Sequence, residues 1–132
     1  MEAHMKGYCD NIEEITKQNG NFRKVLFTGK YCQLVVMDLK PEEEIGMEVH
    51  ETVDQFFRFE EGEGKVVIDR EEYLVKDDFA VIVPAGSQHN VINTSSEKNL
   101  KLYTIYSPPN HPDGTIHKTK EEAEKYEAEH HK

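Results

Sequence analysis

Two histidines and a carboxylate recur at strand-like spacing in this chain. Glu48 and His50 lie in IGMEVHETVDQFFRFEEGEG, and His89 lies in PAGSQHNVIN. Side chains alternate faces along a β-strand, so residues two apart point the same way. Glu48 and His50 therefore share a face. So do Gln55, Phe57 and Phe59 on the next run, and His89, Val91 and Asn93 on another. If these faces line one interior, Glu48, His50, Gln55 and His89 converge on a point walled by Phe57, Phe59 and Val91. A lone histidine on an apolar face is ordinarily a satisfied core residue. Two with a carboxylate are harder to explain that way, because a buried, uncompensated carboxylate is costly and a divalent cation offsets it. Two imidazoles and one carboxylate are also the donor set of non-haem iron centres.

The elements that must position these residues read as short β-runs between about Arg23 and Ser107: RKVLFT, YCQLVVMDL, DQFFRFEE, KVVIDR, EEYLVK, FAVIVP, HNVINT and LKLYTIYS. Turn residues separate them, among them Gly46, Gly62, Asp77-Asp78, Pro84 and Gly86, and no helical pattern intervenes. That predicts an all-β antiparallel sandwich or barrel rather than βαβ units. Before the runs, DNIEEITKQ predicts a short helix over residues 10–18, capped by Asp10 and stopped at Asn19-Gly20. After Pro108-Pro109 the stretch NHPDGTIHK reads as irregular. Thr119 to Glu122 then form a capping box for a charged helix reaching about Glu129, with Ala123, Tyr126 and Ala128 available to face the barrel. The expected division is an N-terminal segment 1–22, a barrel 23–109, and a loop with a C-terminal helix 110–132.

A length of 132 residues suits one domain, and a hydrophobic content of 36% suits a packed core. The formal net charge of -10 argues against nucleic acid or an anionic membrane as partner. No apolar run is long enough to span a bilayer, and the N-terminus does not read as a secretory signal. Cys9 and Cys32 lack CxxC spacing, so reduced thiols and a cytoplasmic location are expected, with Cys32 taken as a small core residue.

In both of its motifs the chain resembles the cupin superfamily. The family's first motif runs Gly, a short gap, His-x-His, three or four residues, Glu, six residues, Gly. Here Glu48 falls on the first His and His50 on the second. Gln55 falls on the Glu, six residues before Gly62. The second motif, Gly-x5-Pro-x-Gly-x2-His-x3-Asn, matches Pro84, Gly86, His89 and Asn93, with Asp78 at its opening Gly. The resemblance covers about Pro41 to Pro109. It implies a double-stranded β-helix, the cupin jelly-roll barrel, with a short N-terminal helix and a C-terminal helical tail. It also implies a divalent metal (Mn, Fe, Zn or Ni) on Glu48, His50, Gln55 and His89. The usual cupin set is three His and one Glu, so the carboxylate has moved to position 48 while the ligand charge is unchanged. Losing an imidazole nitrogen should weaken zinc or nickel binding, and Gln55 can orient a water or substrate instead.

By alternation Asp54 points away from Gln55, toward the surface, unless a bulge turns it inward. Arg58 shares Asp54's face, as a surface pair or an interface residue. His111 and His117 are ordinary loop residues or, if HPDGTIH folds over the mouth, acid/base candidates. Tyr31, Tyr103 and Tyr106 read as core or interface residues, and Lys65, Lys76 and Lys101 as solvent faces.

The resemblance permits a metal-dependent sugar isomerase, of the mannose-6-phosphate-isomerase type, an oxygenase or a lyase. The alternative is a non-catalytic, metal-free pocket for a small molecule. No interior Arg or Lys is identifiable, which counts against a phosphorylated substrate. Open sheet edges and the family resemblance lead to an expected homodimer.

Overall fold

A computed structural model describes residues 6–130 of the chain, so the outer ends of the expected segments 1–22 and 110–132 fall outside it. Among the described residues, ten strands form two antiparallel sheets. β1 (Arg23–Thr28), β2 (Gln33–Leu39), β4 (Asp54–Glu61), β7 (Ala80–Val83), β9 (Leu100–Ser107) and β10 (Ile116–His117) make one, in the order β10-β1-β2-β9-β4-β7. β3 (Glu48–Val49), β5 (Glu63–Ile68), β6 (Glu71–Lys76) and β8 (Gln88–Asn93) make the other, in the order β3-β8-β5-β6. This is the expected jelly roll, and no helix among the described residues is long and apolar enough to cross a membrane.

Period-two alternation builds the interior. Phe57 and Phe59 from β4, Leu100 and Leu102 from β9, and Val35 and Met37 from β2 are fully buried between the sheets. Burying each such side chain contributes about 1.5–3 kcal/mol. The register brings Gln55 of β4 opposite Tyr106 of β9, and Gln33 of β2 opposite the same Tyr106. One end of the interior is thereby polar while the middle is apolar.

The turn chemistry explains the motif residues. Gly62 has φ +109°, and a Cβ there would meet the Asn99 carbonyl at 2.7 Å, so nothing larger fits. Asp78 takes φ 73°, the left-handed region that glycine would occupy more cheaply and that Asp tolerates better than most. Asn93 is buried and fully bonded. Its Nδ2 donates to the carbonyls of Leu39, Lys40 and Lys98, and its Oδ1 accepts from the Ser95 amide.

Helix α1 (Ile12–Gln18) packs on the outer side of β2, β4 and β9. Its N-cap is Asn11, whose Oδ1 accepts from the Glu14 amide, and not Asp10, which caps one residue too early to reach that group. Two further expectations are corrected. Cys32 is exposed, because the strand begins one residue later at Gln33 and the alternation carries Gln33 inward instead. The segment after the barrel is not wholly irregular, since Ile116 and His117 pair with Lys24 and Arg23 as β10. Helix α2 (Lys120–His130) starts at the Thr119 hydroxyl, which accepts from the Glu122 amide. Glu122 reaches back to the Lys118 amide rather than to Thr119, and Ala123 alone is fully buried.

Candidate metal centre

Glu48 on β3 lies directly across the ladder from His89 on β8, which sets their Cβ atoms side by side. His50 follows β3 on the same face. The peptide holding it is pinned, since the Gly86 amide donates to the His50 carbonyl at 2.9 Å. Gly86 sits at φ +89° in the turn that leads into β8, so the second motif fixes the backbone of the first. One ligand atom from each of Glu48, His50 and His89 falls within 4.8 Å of the others. Glu48 Oε1 is 3.6 Å from His50 Nε2 and 3.9 Å from His89 Nε2. Those separations are too long for hydrogen bonds and suit donors arranged around a common ion.

The polar atoms of the cluster fit that reading. His50 Nε2 and His89 Nε2 are buried and make no hydrogen bond. Leaving a buried polar atom unpaired costs about 1–3 kcal/mol, so two in one place call for a partner. His89 Nδ1 faces the Ser87 carbonyl at 3.3 Å, which selects the tautomer with its lone pair on Nε2. Burial pushes the His89 imidazole below its ordinary value, keeping it neutral and able to coordinate. Burial would push the Glu48 carboxyl up, but His50 at close range, with Arg23 and His89, outweighs it and holds Glu48 below the usual range. A neutral His89 imidazole beside an ionised Glu48 carboxylate suits coordination of a divalent cation.

Gln55, the fourth expected residue, is buried on the inward face of β4. Its Nε2 donates to Thr104 Oγ1 at 3.0 Å, which leaves Oε1 buried and unpaired. Asp54 is exposed, and its Oδ1 accepts from the Ala85 amide, so alternation holds without a bulge at this point. Arg58 pairs with Glu60 and Asp78 rather than with Asp54.

Beside the cluster, Tyr106 is buried, with its ring edge against His50 at 5.9 Å. Its hydroxyl lies 3.2 Å from His111 Nε2. Burial pushes that hydroxyl well above its ordinary value, so it is a neutral phenol. His111 is held by Gln33, whose Oε1 accepts from the amides of Asn110 and His111 and whose Nε2 donates to the His111 carbonyl. Gln33 thus clamps the tail against the barrel, a role that its place in an apolar run did not announce. Burial, then the charge of Arg23, lowers His111 to about 3. His117 is buried on β10 with its ring on Tyr126, and burial and Arg23 lower it too.

Arg23 is the residue that sequence reasoning missed. It is 2% exposed, inside the barrel, and its Nε and Nη1 are unpaired. The expectation of no interior Arg or Lys is therefore wrong. The signal was available, because Arg23 stands two residues before buried Val25 on the same strand. Lys101, expected on a solvent face, is largely covered and bonded to the Asn19 carbonyl and to Asp38.

An open depression of about 640 Å³ lies elsewhere, lined by residues such as Glu61, Lys76, Asp77 and Lys98, and contains none of the cluster.

Comparison with known proteins agrees with this fold. A family model described as a cupin domain matches residues 35–106. The Bacillus subtilis (strain 168) protein YrkC is 50% identical over 124 residues, covering 89% of this chain. The chain spans 66% of YrkC's length, just under two thirds. Protein L612 of Acanthamoeba polyphaga mimivirus is 39% identical over 112 residues, covering 83% of this chain and 70% of that protein. The crystal structure of BH2720 from Bacillus halodurans is similar at a TM-score of 0.89 and 44% identity, covering 91% of this chain and 95% of that one.

Proposed function

The chain belongs to the cupin family, and from that premise we propose that it holds one divalent metal on Glu48, His50 and His89 and acts as an enzyme on a small molecule inside the barrel. The observation that carries the reading is the pair of buried imidazole nitrogens without hydrogen bonds, gathered with a carboxylate oxygen within 4.8 Å. Gln55 completes the set, either as a fourth oxygen donor or by orienting a water or substrate with its free Oε1. When bound, such a metal supplies a Lewis acid for a substrate oxygen. The chain's own residues do the rest. Phe57 packs its ring edge on His89 and helps keep the site dry, and Ser87 fixes the His89 tautomer. Tyr106, as a neutral phenol, can donate a hydrogen bond to bound substrate, with His111 orienting its hydroxyl. A basicity as low as that of His111 suits such a positioning role better than proton transfer at neutral pH. His117 is the other acid/base candidate, and it stands on the tail strand beside Arg23.

Isomerase, oxygenase and lyase chemistry all remain within this proposal, since a shared fold does not select a reaction. A second reading, a metal-free pocket that binds without turnover, is favoured by one observation. Arg23 supplies a positive charge that favours the ionised Glu48, a part of the role a cation would play. Metal analysis of protein purified without a histidine tag separates the two. The enzyme reading expects about one equivalent of metal, as isolated or after Mn, Fe, Co, Ni or Zn is offered. Uptake of none of these overturns it.

The same proposal has two copies of the chain pairing as a homodimer. β7 is an edge strand of one sheet and β6 of the other, and they carry Leu74 at 76% and Ile82 at 65% exposure with Tyr73 and Phe79 nearby. Apolar edges of this kind favour pairing. Light scattering at micromolar concentration should give the mass of two chains, and Leu74→Glu with Ile82→Glu should return it to one; a wild-type monomer contradicts the pairing. A cytoplasmic location without nucleic-acid or membrane partners belongs to the same reading. It is supported by the net charge of -10 and by Cys9 and Cys32 being free and exposed.

A further inference from the structure

We infer that Arg23 is the anion-recognition residue of the pocket, and that the small molecule bound there is a carboxylate whose second oxygen donor lies at the metal. The inference deepens the metal reading and rests on it for the place of that second oxygen.

Arginines in folded proteins are rarely buried without a carboxylate or other acceptor. Of the three in this chain, Arg58 has Glu60 and Asp78 as partners, and Arg70 is exposed in a turn. Arg23 is 2% exposed, forms no ion pair within 4 Å among the described residues, and keeps Nε and Nη1 unpaired. An isolated buried guanidinium cannot shed its proton to escape the cost. Its surroundings show where the missing acceptor belongs. Across the ladder it faces His117, and its guanidinium lies near the Tyr106 hydroxyl, which borders His50 and His111, so it stands among the residues around the cluster.

Charge balance gives the chemical class. The donors are the Glu48 carboxylate and two imidazoles, which carry no charge when they coordinate a metal. Adding a divalent cation to that set beside Arg23 leaves the pocket net positive in a site screened from water. An anionic ligand restores the balance, while a neutral sugar or an apolar molecule does not. A carboxylate matches the planar guanidinium, with the Tyr106 hydroxyl beside it as a further donor. Hydroxy- and oxo-carboxylic acids carry a second oxygen close to the carboxylate, which suits a pocket with its cation and its metal on neighbouring walls.

The test compares lactate with its neutral analogue lactamide on the full chain, loaded with metal and metal-free, with metal content measured on every sample. Wild-type protein should prefer lactate by roughly tenfold to a hundredfold, the range expected of hydrogen bonds to a charged group. Arg23→Met should bring lactate down to the level of lactamide, and Arg23→Lys should restore part of the difference. Should Arg23→Met fail to fold, the wild-type chain still decides. With only three arginines, the Arg23 Nε–H signal can be followed by proton–nitrogen NMR, and lactate should move it downfield while lactamide leaves it in place. Equal binding of the two probes by wild type, or an Arg23 signal that lactate does not move in either form, overturns the inference and points to buried water as the acceptor. A preference that survives Arg23→Met overturns it equally. Absence of metal in wild type defeats the metal reading separately, because the Arg23 signal is scored in metal-free protein as well.

Discussion

Asn93 and the Arg23–Gln55 wall are both polar, both buried, and differ in one respect. Asn93 uses its acceptor and distributes its donors over three carbonyls, so nothing in it waits for a ligand. Gln55 Oε1, Arg23 Nε and Nη1, and the Nε2 atoms of His50 and His89 are buried with no partner. The chain has met the polar demand of Asn93 at one end of β8 and left several atoms without a partner at the other, where His89 stands. Bonds completed within the protein stabilise the fold. Bonds left incomplete mark where something from outside is expected to bind.

The largest expected effect breaks the completed side. Asn93→Leu orphans the carbonyls of Leu39, Lys40 and Lys98 and should lower stability by about 3 kcal/mol or more, read by urea unfolding. Gln55→Leu in metal-free protein should change stability by less than about 1 kcal/mol, since it removes an unpaired oxygen along with one hydrogen bond. Equal losses for the two would erase the contrast.

Next comes the metal. Glu48→Gln keeps the shape but removes the only anionic donor, and should weaken divalent-metal binding by roughly a hundredfold, at the upper end of what tuning groups alone achieve. Asp54→Asn, on the outer face of β4, should leave metal affinity unchanged within about twofold. Competition against a coloured chelator measures both, and a loss in Asp54→Asn would mean that the wrong carboxylate has been assigned.

Acid sharpens the comparison further. His89, His111 and His117 are all lowered in the folded chain, chiefly by burial. The unfolded chain therefore binds more protons, and stability rises with pH across the window between the folded values and about 6.5. Melting of metal-free protein should be steady above pH 7 and fall progressively below about 6.5. The His111 contribution should continue to erode toward pH 3. His111→Asn should flatten part of that slope. A melting temperature independent of pH between 7 and 5 would contradict the burial of neutral imidazoles.

Much of the fold was legible because period two is a strong signal. The runs beginning at Arg23, Asp54, Glu71 and Leu100 start and stop as expected, and alternation gives the shared face of Glu48 with His50 and of Gln55 with Phe57 and Phe59. What escaped depends on the phase of a strand or on contacts distant in sequence. Cys32 and Gln33 exchange places because the strand starts one residue late. Gln33 then reads as an intruder in an apolar run until residues 110 and 111 come back to meet it. Arg23 was hidden at the first position of its strand, where a charged residue is ordinarily solvated. The return of β10 beside it, pairing His117 with Arg23, is a contact distant in sequence.

X-ray absorption at the metal edge of the cobalt-loaded, tag-free protein tests the centre most directly. Two imidazole nitrogens with the remaining donors oxygen is the predicted first shell, one imidazole disappearing in His89→Ala. A first shell without imidazole, or one unaltered in His89→Ala, would contradict a metal held by Glu48, His50 and His89.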